Sequence, residues 1–288
     1  MIVSTTAEMQ KHLISFRLKL EKVDEDRFAS FLQRAQEWVT EHIIGDGLEL
    51  ILETSYKPGQ TNPDEKLKML VGRVISELAY LTSVPESDLQ RGESGFIVQS
   101  NDKVSPASQQ RVDRLVQSLN ERLNSDCDAV VDYLMKHSIE GESYADWRGT
   151  QQFSFLTDAF IPTMSVMRQN AGQNTVQRWQ GFYDLQPKLA IALRTTVANY
   201  ISIDEVEILL ELYRDEELLD VHRKALRWIR MSVLAEVSGN TNDADRFAIE
   251  ARQWMLKHES DFPEFVASDR YELPKPFDFG DGTVANGL

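Results

Sequence analysis

Apolar and polar positions recur with a helical period along most of this chain. Phe28, Phe31, Leu32, Ala35, Val39, His42 and Ile43 follow one another at spacings of three and four, while Gln33, Arg34, Gln36, Glu37 and Glu41 fall on the opposite side. The pattern predicts an amphipathic helix with one buried stripe. Asp24 is placed to cap its start, and Gly45-Asp46-Gly47 to stop it through residues that tolerate positive φ. A second, short helix is expected over 48–53.

The same reading carries along the chain. Thr5-Thr6-Ala7-Glu8 matches a capping box and opens a short helix, and alternation over 16–20 predicts a short strand. A helix over 64–82 presents Leu67, Leu70, Val71, Val74, Ile75 and Leu78 on one face, with Pro85 just past its end. The β-favouring residues of 92–104, beside an Asn101-Asp102 turn, predict a small hairpin inserted between helices. Ser105-Pro106 restarts a helix that runs to His137, the longest in the chain. The Gly-, Ser- and Glu-rich stretch 138–152 reads as a linker anchored by Trp147. Beyond it are expected a helix over 155–167 broken by Pro162, a helix over 185–200, a second capping box at 202–205 opening a helix through 211, and helices over 215–237 and 242–258.

Leu48-Glu49-Leu50-Ile51-Leu52-Glu53 aligns with Val206-Glu207-Ile208-Leu209-Leu210-Glu211, and Tyr133-Leu134-Met135-Lys136-His137 with Trp254-Met255-Leu256-Lys257-His258. These echoes suggest a degenerate internal duplication. The fold expected is therefore mainly α: a helical bundle of two degenerate copies, with a small β-hairpin insertion and an extended C-terminal arm. The division expected is 1–138 for the first unit, 153–260 for the second and 261–288 for the arm. The arm is rich in aromatics, and Phe262, Phe265, Tyr271, Phe277 and Phe279 are candidate contact residues for a neighbouring chain or the arm's own domain. Phe96, Ile97 and Val98 of the hairpin are a second candidate contact.

Composition narrows the function. The net charge of −15 on 288 residues is spread along the chain, which disfavours the concentrated basic surface that phosphate binding needs. No apolar run approaches the roughly 18 residues of a membrane span. The single cysteine, Cys127, lies on an apolar stripe and reads as a buried small residue. No histidine has a glutamate three residues before it, and metalloprotease and phosphate-loop motifs are missing. The carboxylates Asp204, Glu205, Glu207, Glu211, Asp215, Glu216, Glu217 and Asp220 lack the spacing of a calcium loop and read as a solvated face, with a metal-dependent hydrolase the least favoured use of them. His42, His137 and His258 stand where helix C-termini are capped. No catalytic residue, cofactor or metal is expected.

Three segments carry a resemblance. Ser4-Thr5-Thr6-Ala7-Glu8-Met9, then Ala35-Gln36-Glu37-Trp38-Val39 with Ile43-Ile44-Gly45, and the run 96–108 with Val98, Asn101, Asp102, Pro106 and Ala107 resemble an uncharacterised family of Bacteroidetes phages and prophages. Its members look like head–tail connector, or adaptor, proteins of tailed phages. The resemblance implies a non-enzymatic virion protein at the neck, made in the bacterial host cytoplasm. It implies assembly with itself as a ring, a dodecamer by analogy, contacting the portal protein and tail or other neck proteins, with DNA passing through without sequence-specific binding. A helical protein-binding or scaffolding module of a bacterial cell is the alternative.

Overall fold

The computed structural model describes residues 1–13, 22–54, 64–87, 90–92, 95–97, 109–139, 142–171 and 176–272. They are mainly helical. The chain divides into two compact units: Met1–Leu156 with Pro162–Ser165 and Val176–Asp184, and Thr157–Ile161 with Val166–Thr175 and Leu185–Leu288. The division thus falls after Leu156, not in the expected linker. Tyr144 and Trp147 of that stretch are buried in the first unit, where the Tyr144 hydroxyl donates to Asp64 at 2.7 Å and the Trp147 indole donates to the Ile43 carbonyl at 2.9 Å.

The first unit contains α1 (Thr6–His12), α2 (Lys22–Val39), α3 (Gly45–Thr54), α4 (Glu65–Ser87) and α5 (Gln109–His137). Phe28, Phe31, Leu32, Ala35, Val39 and Ile43 are all buried, as the apolar period requires. α2 begins two residues ahead of Asp24, and its end is not a plain stop: Thr40–Ile44 form one π-helical turn, Gly45 adopts φ 77°, and α3 starts there at once. α4 and α5 run antiparallel, since Lys66 sits over the Tyr133 ring, Arg73 faces Asp126 and Glu77 faces Arg122. α4 runs on through Pro85 to Ser87. Gln36 ties the start of the chain to this core, accepting from the Ile2 amide at 2.7 Å and donating to Glu49 and Glu53.

Gln90–Gly92 (β1) pairs antiparallel with Gly95–Ile97 (β2), Gln90 opposite Ile97. This is not the hairpin expected over 92–104. The described pair closes between Gly92 and Gly95, and Asn101 and Asp102 lie outside the described residues, as does the expected strand at 16–20.

α6 (Gln151–Thr157) and α7 (Met164–Ala171) flank Pro162, with Phe160 between them at φ 60°. α8 (Trp179–Thr195) starts six residues earlier than expected and holds the exposed Pro187 inside it, a proline that the period alone would place near a helix start. In the second unit follow α9 (Ile203–Arg214), α10 (Asp220–Val237), α11 (Thr241–Leu256) and α12 (Pro263–Ala267). α10 and α11 form a hairpin closed by Gly239 at φ 79°. Residues 215–219 are a turn, with Glu216 at φ 59°, so α10 begins five residues later than expected.

The two capping boxes differ. Thr5 Oγ1 accepts from the Glu8 amide at 3.2 Å, and the Glu8 carboxylate takes the Ser4 amide at 2.9 Å as well as that of Thr5. Ser202 Oγ accepts from the Glu205 amide at 3.1 Å, while the buried Glu205 carboxylate accepts from the Phe265 amide at 2.9 Å and so caps α12. The arm is consequently not extended where it begins. Phe262 and Phe265 are fully buried in the second unit. The buried Arg252 guanidinium donates to the Arg270 carbonyl at 3.3 Å, holding the following turn.

Candidate interaction surfaces

In the first unit, two tryptophans and several aliphatic side chains line a cavity of about 330 Å³, with Trp38, Leu78, Leu81, Leu123 and Trp179 in its wall. The π turn positions one wall: the Trp38 and His42 rings stack at 4.7 Å, and His42 Nδ1 donates to the Trp38 carbonyl at 2.8 Å. Trp179 meets Trp38 edge to face at 5.6 Å, and the Trp38 indole donates to Gln180 at 2.6 Å. Trp179 is fixed in turn by two polar residues on the buried stripe of α5. Asn124 accepts its amide at 2.8 Å, and Asp128 accepts its indole N–H at 3.2 Å along with the Met164 and Ser165 amides at 2.9 and 2.8 Å. Asn124 and Asp128 escaped the apolar pattern because they interrupt it. Their i,i+4 spacing on that stripe was the available signal.

On α4 and α5, Glu77 and Asp126 face each other as a carboxyl pair, with the Arg122 and Arg73 guanidinium groups each 4.0 Å from one of them. Burial and the neighbouring Asp126 charge push the Glu77 carboxyl up to about 7, and burial raises Asp126 as well. Glu77 Oε2 has no hydrogen-bond partner. The arrangement suits one shared proton. Cys127 is fully buried, and burial together with nearby carboxylates raises its thiol well above the usual range, leaving it a poor nucleophile.

Three helix ends repeat one device. His42, His137 and His258 lie four residues after Trp38, Tyr133 and Trp254, with ring centroids 4.7, 4.3 and 3.9 Å apart. His258 Nδ1 donates to the Trp254 carbonyl at 2.9 Å, as His42 does to Trp38. Their placement is that of helix C-terminal caps.

In the second unit, Asp158 accepts two hydrogen bonds from Arg194, at 2.8 and 3.0 Å, and lies 3.6 Å from Arg214. Asp204, Glu207, Glu211, Glu216 and Glu217 are exposed, whereas Glu205 leaves this acidic face for its buried role. Among the described residues no group of three or more histidine, cysteine or acidic side chains is placed to hold a metal ion.

The predicted contact residues divide. Phe262, Phe265 and Tyr271 come together in the second unit, with the Phe265 and Tyr271 rings edge to face at 5.9 Å and the Tyr271 hydroxyl donating to Glu259 at 2.7 Å. Buried Phe262 and Phe265 are core, not surface. Phe96 and Ile97 lie in β2, opposite Arg91 and Gln90. Val98, Phe277 and Phe279 lie outside the described residues.

Residues 34–155 match a family of unknown function, DUF6712. The similarity lies within the first unit and runs from the second half of α2 into α6. It includes Trp38, Leu78, Leu81 and Leu123 of the cavity and the Glu77–Asp126 pair, and it stops short of Trp179. Neither the curated proteins nor the solved structures contain a match. No helix among the described residues is long and apolar enough to cross a membrane.

Proposed function

We propose that this chain is a structural protein of the phage neck, a head–tail connector that assembles as a ring between portal and tail around the DNA channel. The observation that carries the reading is a pair of exposed surfaces on the second unit: an acidic stripe on α9 and an aromatic face of α10 and α11 edged by exposed Lys224 and Arg227. Such surfaces suit a protein whose partners are proteins. The segments 4–9, 35–45 and 96–108 support the phage setting through their resemblance to connector-like proteins. A diffuse charge of −15 is compatible with a wall beside DNA that does not grip it. Its partners on this reading are other copies, the portal and tail or further neck proteins.

The cavity walled by Trp38, Trp179 and leucines favours a second reading, a helical protein-binding or scaffolding module of a bacterial cell, because an apolar socket suits an apolar side chain of a partner. Gene order separates the two. A connector gene lies between capsid or portal genes and tail genes, and a position among unrelated cellular genes would defeat the neck reading.

A further inference from the structure

We infer that the outer face of the α10–α11 hairpin receives the α9 acidic stripe of a second copy of this chain. The inference rests on the ring reading above and names the surfaces through which it would form. On the receiving face, Trp228 and Phe247 stack at 6.2 Å and remain half-buried, and the Lys224 ammonium lies 3.8 Å from the centre of the Trp254 ring. Exposed Lys224 and Arg227 rim these aromatics, while exposed Arg246 pairs with Asp243 at 3.0 Å and Glu250 lies exposed on the same helix. Aromatic groups at the centre with cations around them are the composition of a protein interface. In a chain of net charge −15 such a face stands out against its own surroundings.

The stripe offers the complement. Asp204, Glu207 and Glu211 are spaced three and four apart on exposed positions of α9, and Glu216 and Glu217 extend the acidity beyond it. Ile203, 41% exposed, lies in line with Glu207 and Glu211 and supplies an apolar group for the aromatics. Glu207 already lies 3.4 Å from Arg194, which with Arg214 also holds Asp158, so the stripe offers a partner chiefly Asp204, Glu211, Glu216 and Glu217. Among the described residues no ion pair joins α9 to α10 or α11. The two surfaces differ, so their contact is heterologous: each copy offers one to each neighbour, which closes a ring when the rotation permits. A polyanion such as DNA would also meet the cations, but the acidic remainder of the chain repels it.

Charge reversal tests the assignment on the full chain. K224E/R227E and E207K/E211K are each expected to weaken self-association in sedimentation roughly tenfold at low salt, and an equimolar mixture of the two is expected to restore it. Mixed E211C and R227C chains, treated with a short bis-maleimide, are expected to give a crosslinked dimer that neither gives alone. Unchanged association in the reversed chains, a wild type that stays monomeric at low salt, or a double-stranded DNA affinity lost in K224E/R227E would each overturn the inference. Portal binding that survives both reversals would sink this interface and leave the neck reading standing. A crosslinked dimer that ignores portal would do the opposite.

Discussion

Replacing Glu77 with glutamine should change how the stability of this protein depends on pH. The Glu77 side chain is 5% exposed, faces Asp126 and has only the Arg122 guanidinium at 4.0 Å and Arg73 beside it. Burial raises its carboxyl from the ordinary 4.5 to about 7. A folded-state value above the unfolded one means that the folded chain holds the proton more tightly. The contribution is fully present below pH 4.5 and is lost as pH rises to about 7. At ~1.4 kcal/mol per pH unit the loss amounts to about 3 kcal/mol, or roughly 6–12 °C in Tm for a unit of this size. In Glu77→Gln the amide keeps the shape and a donor toward Asp126 but cannot ionise. Burial depresses His12, which acts with the opposite sign, and raises Asp132 and Glu205, which act with the same sign. All three are common to both chains and cancel in the comparison. Urea unfolding at pH 5 and pH 8 should therefore show a variant whose stability falls less than the wild type's, by about 2–3 kcal/mol. Parallel curves for the two chains between these values would refute the shared-proton account of the α4–α5 crossing.

Further substitutions test the packing. Trp147→Phe removes the indole donor from the Ile43 carbonyl and should cost about 1–3 kcal/mol in urea unfolding, with Trp147→Ala costing about 3–5 kcal/mol. Asp128→Ala strips the acceptor from two backbone amides and the Trp179 indole and should cost about 2–4 kcal/mol, read with a blue-shift-sensitive tryptophan emission scan. Phe265→Ala empties a fully buried site and should lower the stability of the second unit by about 3–5 kcal/mol, whereas a loss below 1 kcal/mol would return Phe265 to the surface role. Gly45→Ala places a side chain at φ 77° with Gln152 Oε1 3.2 Å from its Cβ and should cost about 1–2 kcal/mol by thermal unfolding.

The helical period conveys the buried stripes well because burial of one face is what stabilises such helices, and the apolar positions from Phe28 through α2 to Ile43 of the π turn follow it, although Gln36 of the expected polar side is buried as well. Boundaries obeyed other forces. Pro187 sits within α8 because tertiary packing of Phe182 and Leu189 on either side outweighs one missing amide. The two capping boxes were legible as sequences, but the destinations of Glu8 and Glu205 were not, since a carboxylate three residues into a helix can serve any nearby amide. The candidate contacts of the arm left two destinations open for a related reason. Aromatics and prolines mark a segment that docks, yet say nothing of whether it docks on a neighbour or on its own unit, and Phe262 and Phe265 dock at home. The basic, aromatic face of α10 and α11 was partly visible as the cations at 223, 224, 227 and 230. Of these, Arg230 turns inward to the Phe160 carbonyl at 2.7 Å, which no local pattern announces.

The neck proposal is tested most directly by negative-stain imaging of the purified chain, alone and mixed with a tailed-phage portal protein. The account predicts ring-shaped particles with a central opening, seated on portal in the mixture. Monodisperse particles without an opening, together with no binding to portal, would contradict it.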